Sequence, residues 1–353
     1  MKMRINWGVC VLLVLVALAG CDGDVRPLPL GFGPAIERLE EIQISRVMVL
    51  GTASLEVANR HPDWFPRAEV FGGRSAMRMF ARAAQNPRLF RQMDRQVGFE
   101  AVWVSGDVGT SAPLFESLIS DSEWVAWYVD HEGVVFRRAS SSRDLKLELG
   151  PLKTTNLSRI DLARVKAAVA VNLSALRRSD EAKAVLEGAR QVAPTEVDVR
   201  VAEARLELDA GRWDAALSLA SSALGARRNY LPALAIKARA LYALGRFADA
   251  FLSSRKLVER AGGDPLVLFN HAKIAHELRI FGEEIETLKT LMDVVERDGG
   301  WIAGYRIYLG QAYAAIGEAD LALAELNSAA VDPSLSADQK AFVQEALEKL
   351  RAR

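Results

Sequence analysis

The run Gly211-Arg212-Trp213-Asp214-Ala215-Ala216 returns 34 residues later as Gly245-Arg246-Phe247-Ala248-Asp249-Ala250. The same step leads from Ala216 back to Ala182, from Ala238 on to Ala272 and from Phe247 on to Phe281. A last copy, Leu309-Gly310-Gln311-Ala312-Tyr313 with Gly317 and Ala322, arrives four residues late, and the loop at 296–300 absorbs the difference. A supersecondary unit of this length cannot bury its apolar face alone, so its copies must stack into a solenoid. The recurring alanines, Ala216, Ala223, Ala238, Ala250 and Ala312, mark where two helices cross closely. Gly211, Gly245 and Gly317 suit a left-handed turn that ends the first helix of each pair. Trp213 and Phe247 are placed to plug the gap at the start of the second helix.

These positions resemble the tetratricopeptide repeat (TPR), and the likeness spans residues 162–334 as five units. The first unit has Arg177 in place of the glycine but keeps Ala170, Leu173, Ala182, Ala189 and Pro194. The fourth has Glu284 where the pattern asks for alanine, which predicts a splayed helix pair there. Residues 335–353 follow as a capping helix, with Phe342, Leu347 and Leu350 on its apolar face. The resemblance implies that first-helix residues line a concave surface able to take a segment of a partner protein. On this chain those positions are Arg205, Leu208, Asp209, Arg239, Tyr242, Phe269, Lys273, His276 and Gln311, joined by Val171, Glu277 and Ile307. Their mixture of aromatic, aliphatic and charged side chains suits a polypeptide better than a bare polyanion. The clamp with which some TPR proteins hold a terminal carboxylate is missing, because Ala167 and Val171 stand at its places.

At the other end, Lys2 and Arg4 precede an apolar stretch from Ile5 to Ala17 and then Leu18-Ala19-Gly20-Cys21. The stretch is short for a membrane span, which needs roughly 20 residues. It resembles a lipoprotein signal peptide, residues 1–20, cleaved after Gly20 so that Cys21 is acylated. Residues 21–33, with Pro27, Pro29, Gly31 and Gly33, then read as a lipidated tether. The expected place is the bacterial cell envelope, anchored by lipid and facing the periplasm. Asp22 resembles the signal that keeps such proteins in the inner membrane, with the outer membrane as the alternative.

Residues 34–150 change period, and strands alternate with helices. Strands are expected at 46–50, 68–71 and 99–104, a hairpin at 124–136, and helices at 34–42, 74–85, 87–97 and 112–120. This pattern predicts a small α/β domain with a mostly parallel sheet, joined by a linker at 151–161 to the all-α TPR solenoid. The segments Val70-Phe71-Gly72-Gly73-Arg74, Val97 to Trp103 and Trp124 to Arg137 resemble a soluble domain of glycosyltransferase-C-like (mannosyltransferase-type) membrane proteins. Gly72 stands where that family tends to have Asp, and the membrane helices that hold its sugar-transfer site have no counterpart here, so transferase activity is not implied.

The remaining chemistry is sparse. Positive charge is not clustered and the formal net charge is zero, which argues against a nucleic-acid partner. The only cysteines are Cys10 and Cys21, so the folded domains have no disulfide or Cys/His metal site. His271 and His276 are five apart, which on a helix turns their imidazoles about 140° from each other. No nucleophile elbow, dinucleotide loop or phosphate loop occurs, and no cofactor is expected. Arg74, Asp107, Asp121, Asp130 and His131 could gather at strand ends, where α/β sheets bind ligands, although each also reads as a turn residue, with His131 exposed in its hairpin. The expected function is therefore a membrane-anchored, non-enzymatic scaffold in envelope assembly or polysaccharide export. The alternatives are an accessory subunit of a glycan or lipid-linked sugar machine, and an enzyme with its site in the α/β domain.

Overall fold

A computed structural model describes residues 33–351, except 45, 52–56, 59, 62–63, 65–75, 107–111, 140–145, 151, 153–156, 298–301, 333–334 and 336. Cys21, Asp22, the tether up to residue 32, the expected strand at 68–71, Arg74 and Asp107 lie outside the described residues, and Gly33 belongs to the first helix. No helix among the described residues is long and apolar enough to cross a membrane.

The N-terminal domain contains helices α1 (Gly33–Glu41), α2 (Ala76–Gln85), α3 (Pro87–Val97) and α4 (Ala112–Ser120). Its strands are β1 (Val47–Leu50), β2 (Ala101–Ser105), β3 (Trp124–Val129), β4 (Gly133–Arg138) and β5 (Glu148–Leu149). They form one sheet in the order β1-β2-β4-β3-β5. β1 and β3 pair in parallel with β2 and β5, whereas β4 is antiparallel to both its neighbours. The sheet is thus mixed and not mostly parallel. The return arm of the 124–138 hairpin inserts between β2 and β3, a placement that local periodicity does not encode. Side chains alternate between two cores. Met48, Leu50, Val102, Val104 and Phe136 join α2, α3 and α4 on one face. Val49, Trp103 and Val135 meet α1 through Ile36 and Leu39 on the other. A bulge between Ala126 and Tyr128 breaks the alternation and turns Trp127 and Tyr128 to the same face.

Ten helices then pair into five hairpins and an eleventh closes the row. They are α5 (Arg159–Ala175), α6 (Ser179–Val192), α7 (Val197–Asp209), α8 (Trp213–Ala226), α9 (Leu231–Ala243), α10 (Phe247–Ala261), α11 (Pro265–Glu277), α12 (Phe281–Arg297), α13 (Ala303–Ala315), α14 (Ala319–Ala330) and α15 (Ala337–Arg351). The chain is a small five-stranded α/β unit followed by a TPR-like solenoid. The expected crossing alanines are all buried. Gly211, Gly245 and Gly317 take φ of 74°, 72° and 87°. The first and fourth units keep the same bend without glycine, with Arg177 at 61° and Arg279 at 56°. In each unit two backbone N–H groups past the bend return to carbonyls of the last helical turn, as Gly245 N to Tyr242 O at 3.0 Å and Arg246 N to Leu241 O at 2.9 Å.

Three details depart from the sequence reading. Glu284 does not splay the fourth pair, because its carboxylate is buried and accepts from His276 Nδ1 at 3.0 Å. Trp213 is 37 % exposed and rests against the Gly211 bend instead of plugging a gap. The buried face of α15 is formed by Val343 and Leu347, while Phe342 points outward.

The two parts share a core. Phe90, Trp124 and Phe136 of the sheet domain fall in one apolar cluster with Ala167, Leu173 and Leu186 of the first helical pair. Asn172 of α5, 6 % exposed, donates its side-chain N–H to the Asp130 carbonyl at 2.8 Å.

A left-handed arginine costs roughly 1–2 kcal/mol that glycine does not incur. Glycine's greater unfolded-state entropy offsets up to about 1 kcal/mol of this. Arg279→Gly should therefore raise stability by up to about 1 kcal/mol in urea unfolding, and Arg279→Val should lower it. A loss of stability on Arg279→Gly would contradict the assigned bend.

Candidate functional site

The first helices of units three to five, α9, α11 and α13, place side chains from successive turns on one surface. Phe269, Lys273 and Glu277 follow each other at i, i+4 and i+8 on α11, with His276 beside them. Tyr242 of α9 lies on one flank, and Tyr308 and Gln311 of α13 on the other. Together they ring a small pocket of about 90 Å³ whose floor includes Ala272, Glu284 and Leu288. Lys273 Nζ sits between two rings, 5.5 Å from the centroid of Tyr242 and 5.9 Å from that of Phe269. Phe269 meets Tyr305 and Tyr308 edge-on at 5.3 and 5.1 Å. Tyr242 donates its hydroxyl to Glu277 at 3.1 Å. Burial, and then this bond to a carboxylate, raise the Tyr242 hydroxyl above its ordinary pKa. Burial likewise raises Glu284, against the opposing pull of the His276 hydrogen bond.

The structure thus brings together Tyr242, Phe269, Lys273, His276, Glu277 and Gln311 of the expected surface. The others lie elsewhere. Arg239 is exposed on α9 but does not line the pocket. Arg205 and Asp209 are joined in an ion pair at 3.1 Å, and Ser174 Oγ donates to Asp209 at 3.2 Å. Leu208 and Ile307 are 3 % and 7 % exposed. They are core residues, because both helices rotate these positions toward the second helix of the pair. Tyr308, one residue beyond Ile307, is the aromatic side chain that position counting missed.

His271 and His276 serve different partners. His271 is fully buried, with Nδ1 at 2.8 Å from Ser254 Oγ and Nε2 at 3.1 Å from Glu283. A carboxylate only accepts, so Nε2 donates to Glu283, while the Ser254 hydroxyl also lies within donating distance of the Phe251 carbonyl at 3.1 Å. Phe251 stacks on the imidazole at 4.9 Å. Ser254 is 2 % exposed, so the arrangement ties α10, α11 and α12 together and gives no substrate access to the hydroxyl.

Among the described residues of the expected group, Asp130 and His131 stand at the carboxyl ends of the strands. Asp121 precedes β3 and lies at the opposite edge. His131 is buried and not exposed, because its turn is packed beneath α5, where Asn172 seals the Asp130 carbonyl. Asp130 Oδ1 accepts the backbone N–H groups of Glu132 and Gly133 at 2.9 and 3.1 Å, while Oδ2 is buried without a hydrogen-bond partner. Desolvation pushes the carboxyl up to about 7 and the His131 imidazole down to about 4. His131 Nε2 approaches Glu132 Oε1 at 3.4 Å but forms no hydrogen bond.

The two shifts have opposite consequences. The folded state binds a proton at Asp130 more readily than the unfolded chain, so its contribution to stability falls as pH rises from about 4 to about 7. Folded His131 resists protonation, so its contribution falls as pH drops from about 6.5 to about 4. Asp130→Asn keeps the Oδ1 acceptor and removes the first effect. It should stabilise the protein by roughly 2–4 kcal/mol at pH 8, with the gain fading toward pH 4. Urea titrations across that range test this, and a pH-independent difference would refute the buried carboxylate.

No known family profile and no curated protein matches the chain. Among solved structures, TTC0263, a thermophilic TPR protein of Thermus thermophilus, is 19 % identical, covering 53 % of this chain and 99 % of its own, with a TM-score of 0.40. YrrB, described as a TPR protein with an unusual peptide-binding site, is 15 % identical, covering 52 % and 92 %, with a TM-score of 0.44. MamA from Desulfovibrio magneticus is 18 % identical, covering 53 % and 98 %, with a TM-score of 0.39.

Proposed function

We propose that this chain is a non-catalytic, lipid-anchored scaffold of the bacterial envelope that holds a segment of a partner protein against α9, α11 and α13. The observation that carries this reading is the Tyr242–Lys273–Phe269 cluster. An ammonium between two aromatic faces is oriented before any ligand arrives, and the surrounding rings supply apolar contact. A volume near 90 Å³ suits one side chain of a polypeptide, not a whole small-molecule substrate. Lys273 has no acidic partner in the pocket, since Glu277 holds Tyr242 and Glu284 holds His276. The side chain received is therefore one with a carboxylate or carbonyl beside an apolar portion. Attachment to the membrane rests on the lipobox ending at Cys21, and a role in envelope assembly or polysaccharide export follows from that placement.

Crosslinking in cells that produce the full chain tests the reading. Tyr242→Ala and Lys273→Glu should each reduce a specific crosslinked partner more than about tenfold while leaving the melting transition near wild type. Undiminished capture by both variants would remove this surface from the function. Cys21→Ala should release the chain from the membrane fraction, and unchanged fractionation would exclude the anchor.

A further inference from the structure

A second cleft opens elsewhere on α9. Leu234, Lys237 and Leu241 follow at i, i+3 and i+7, on a face turned about 140° from Arg239 and Tyr242. Flanked by α8 and α10, this face floors a cleft of about 560 Å³, far larger than the pocket around Lys273. Its lining is strongly one-sided in charge. Arg228, Lys237, Arg246 and Lys256 face one acid, Asp249, on a chain whose formal net charge is zero. Asp249 is already engaged by Arg246 at 2.6 Å, which leaves three cations in the cleft with no ion-pair partner among the described residues. Between the cations stand Leu217, Leu224 and Leu252, and Leu252 is 51 % exposed. Leu234 and Leu241 are buried at the bottom and Lys237 is half-buried.

We infer that this cleft is a second docking site, for an acidic protein segment that inserts an apolar side chain between Leu217, Leu224 and Leu252 while its carboxylates meet Arg228, Lys237 and Lys256. Charge complementarity selects the acidic partner, because three unpaired cations around an exposed leucine repel a basic segment and find no counter-charge on a neutral one. The recess selects a protruding segment over a membrane surface, because a flat layer of headgroups does not reach a half-buried lysine below the helix walls.

The test uses the full chain and a dye-labelled peptide in which glutamates alternate with leucines. Binding read by fluorescence anisotropy should weaken steeply as salt is raised from about 0.01 M to about 0.15 M, where the screening length falls from about 30 Å to about 8 Å. Lys237→Glu combined with Lys256→Glu should cost more than about tenfold in affinity, and Leu252→Ser severalfold. In a Lys273→Glu background the Lys237/Lys256 reversal should cost the same factor as in the wild-type chain, which separates the cleft from the proposed partner groove. All four altered side chains are exposed or half-buried, and matching circular dichroism melts will confirm that the variants fold. Equal affinity in the Lys237/Lys256 reversal, or binding to anionic phospholipid vesicles but not to the peptide, would overturn the inference.

Discussion

The apolar cluster that runs from Phe90, Trp124 and Phe136 into Leu173 and Leu186 decides how the rest of the molecule is built. A helical repeat exposes an apolar flank at each end of its row, and that flank must be covered. At the far end α15 covers it with Val343 and Leu347. At the near end no separate cap is needed, because the sheet domain packs on α5 and takes its place. The Asn172–Asp130 hydrogen bond fixes the direction of that packing. The sheet domain gains in turn, since the array extends one of its two apolar cores. One of its two faces is completed by residues that belong to the array.

Within the array, geometry is set at the bends more firmly than by any single contact. The left-handed residue after each first helix recurs at Arg177, Gly211, Gly245, Arg279 and Gly317, whether or not the residue is glycine. Arg177 and Arg279 show that packing of the pair dictates the turn and that glycine only makes it less costly. Ala216, Ala250 and Ala322 are fully buried where the helices of their pairs cross, so the turn must bring the two helices close together.

The array was legible in the sequence because its constraints are local and repeated. Small residues and bends recur at one spacing, and each repetition confirms the others. The pocket was only partly legible. Tyr242, Phe269, Lys273 and His276 were found from their places in the unit, but Leu208 and Ile307 were counted onto the surface although they face the core. A rotation of one residue along a helix is about 100°, enough to exchange Ile307 with Tyr308. The sheet domain was legible as elements and not as topology. Insertion of β4 and the two-residue β5 depend on contacts distant in sequence. Burial of His131 depends on α5, which begins 28 residues after it, so no local reading of a polar hairpin turn could have shown it. The polar chain of Ser254, His271 and Glu283 joins three helices and carries no motif, although His271 stood out as an unusual residue inside an apolar helix.

That polar chain bears on how the neighbouring pocket works. Apolar helix faces slide and roll over one another at little cost, whereas hydrogen bonds lose most of their strength with small changes of angle. Units three and four are joined by such bonds through His271, and the helices of unit four again through His276 and Glu284. These bonds therefore stiffen the local curvature of the solenoid beside the Lys273 pocket. A stiff site loses little conformational freedom when it closes on a ligand, so more of the contact energy is expressed as affinity. The same stiffness narrows the set of segments that fit, because the pocket does not reshape itself around a poor match.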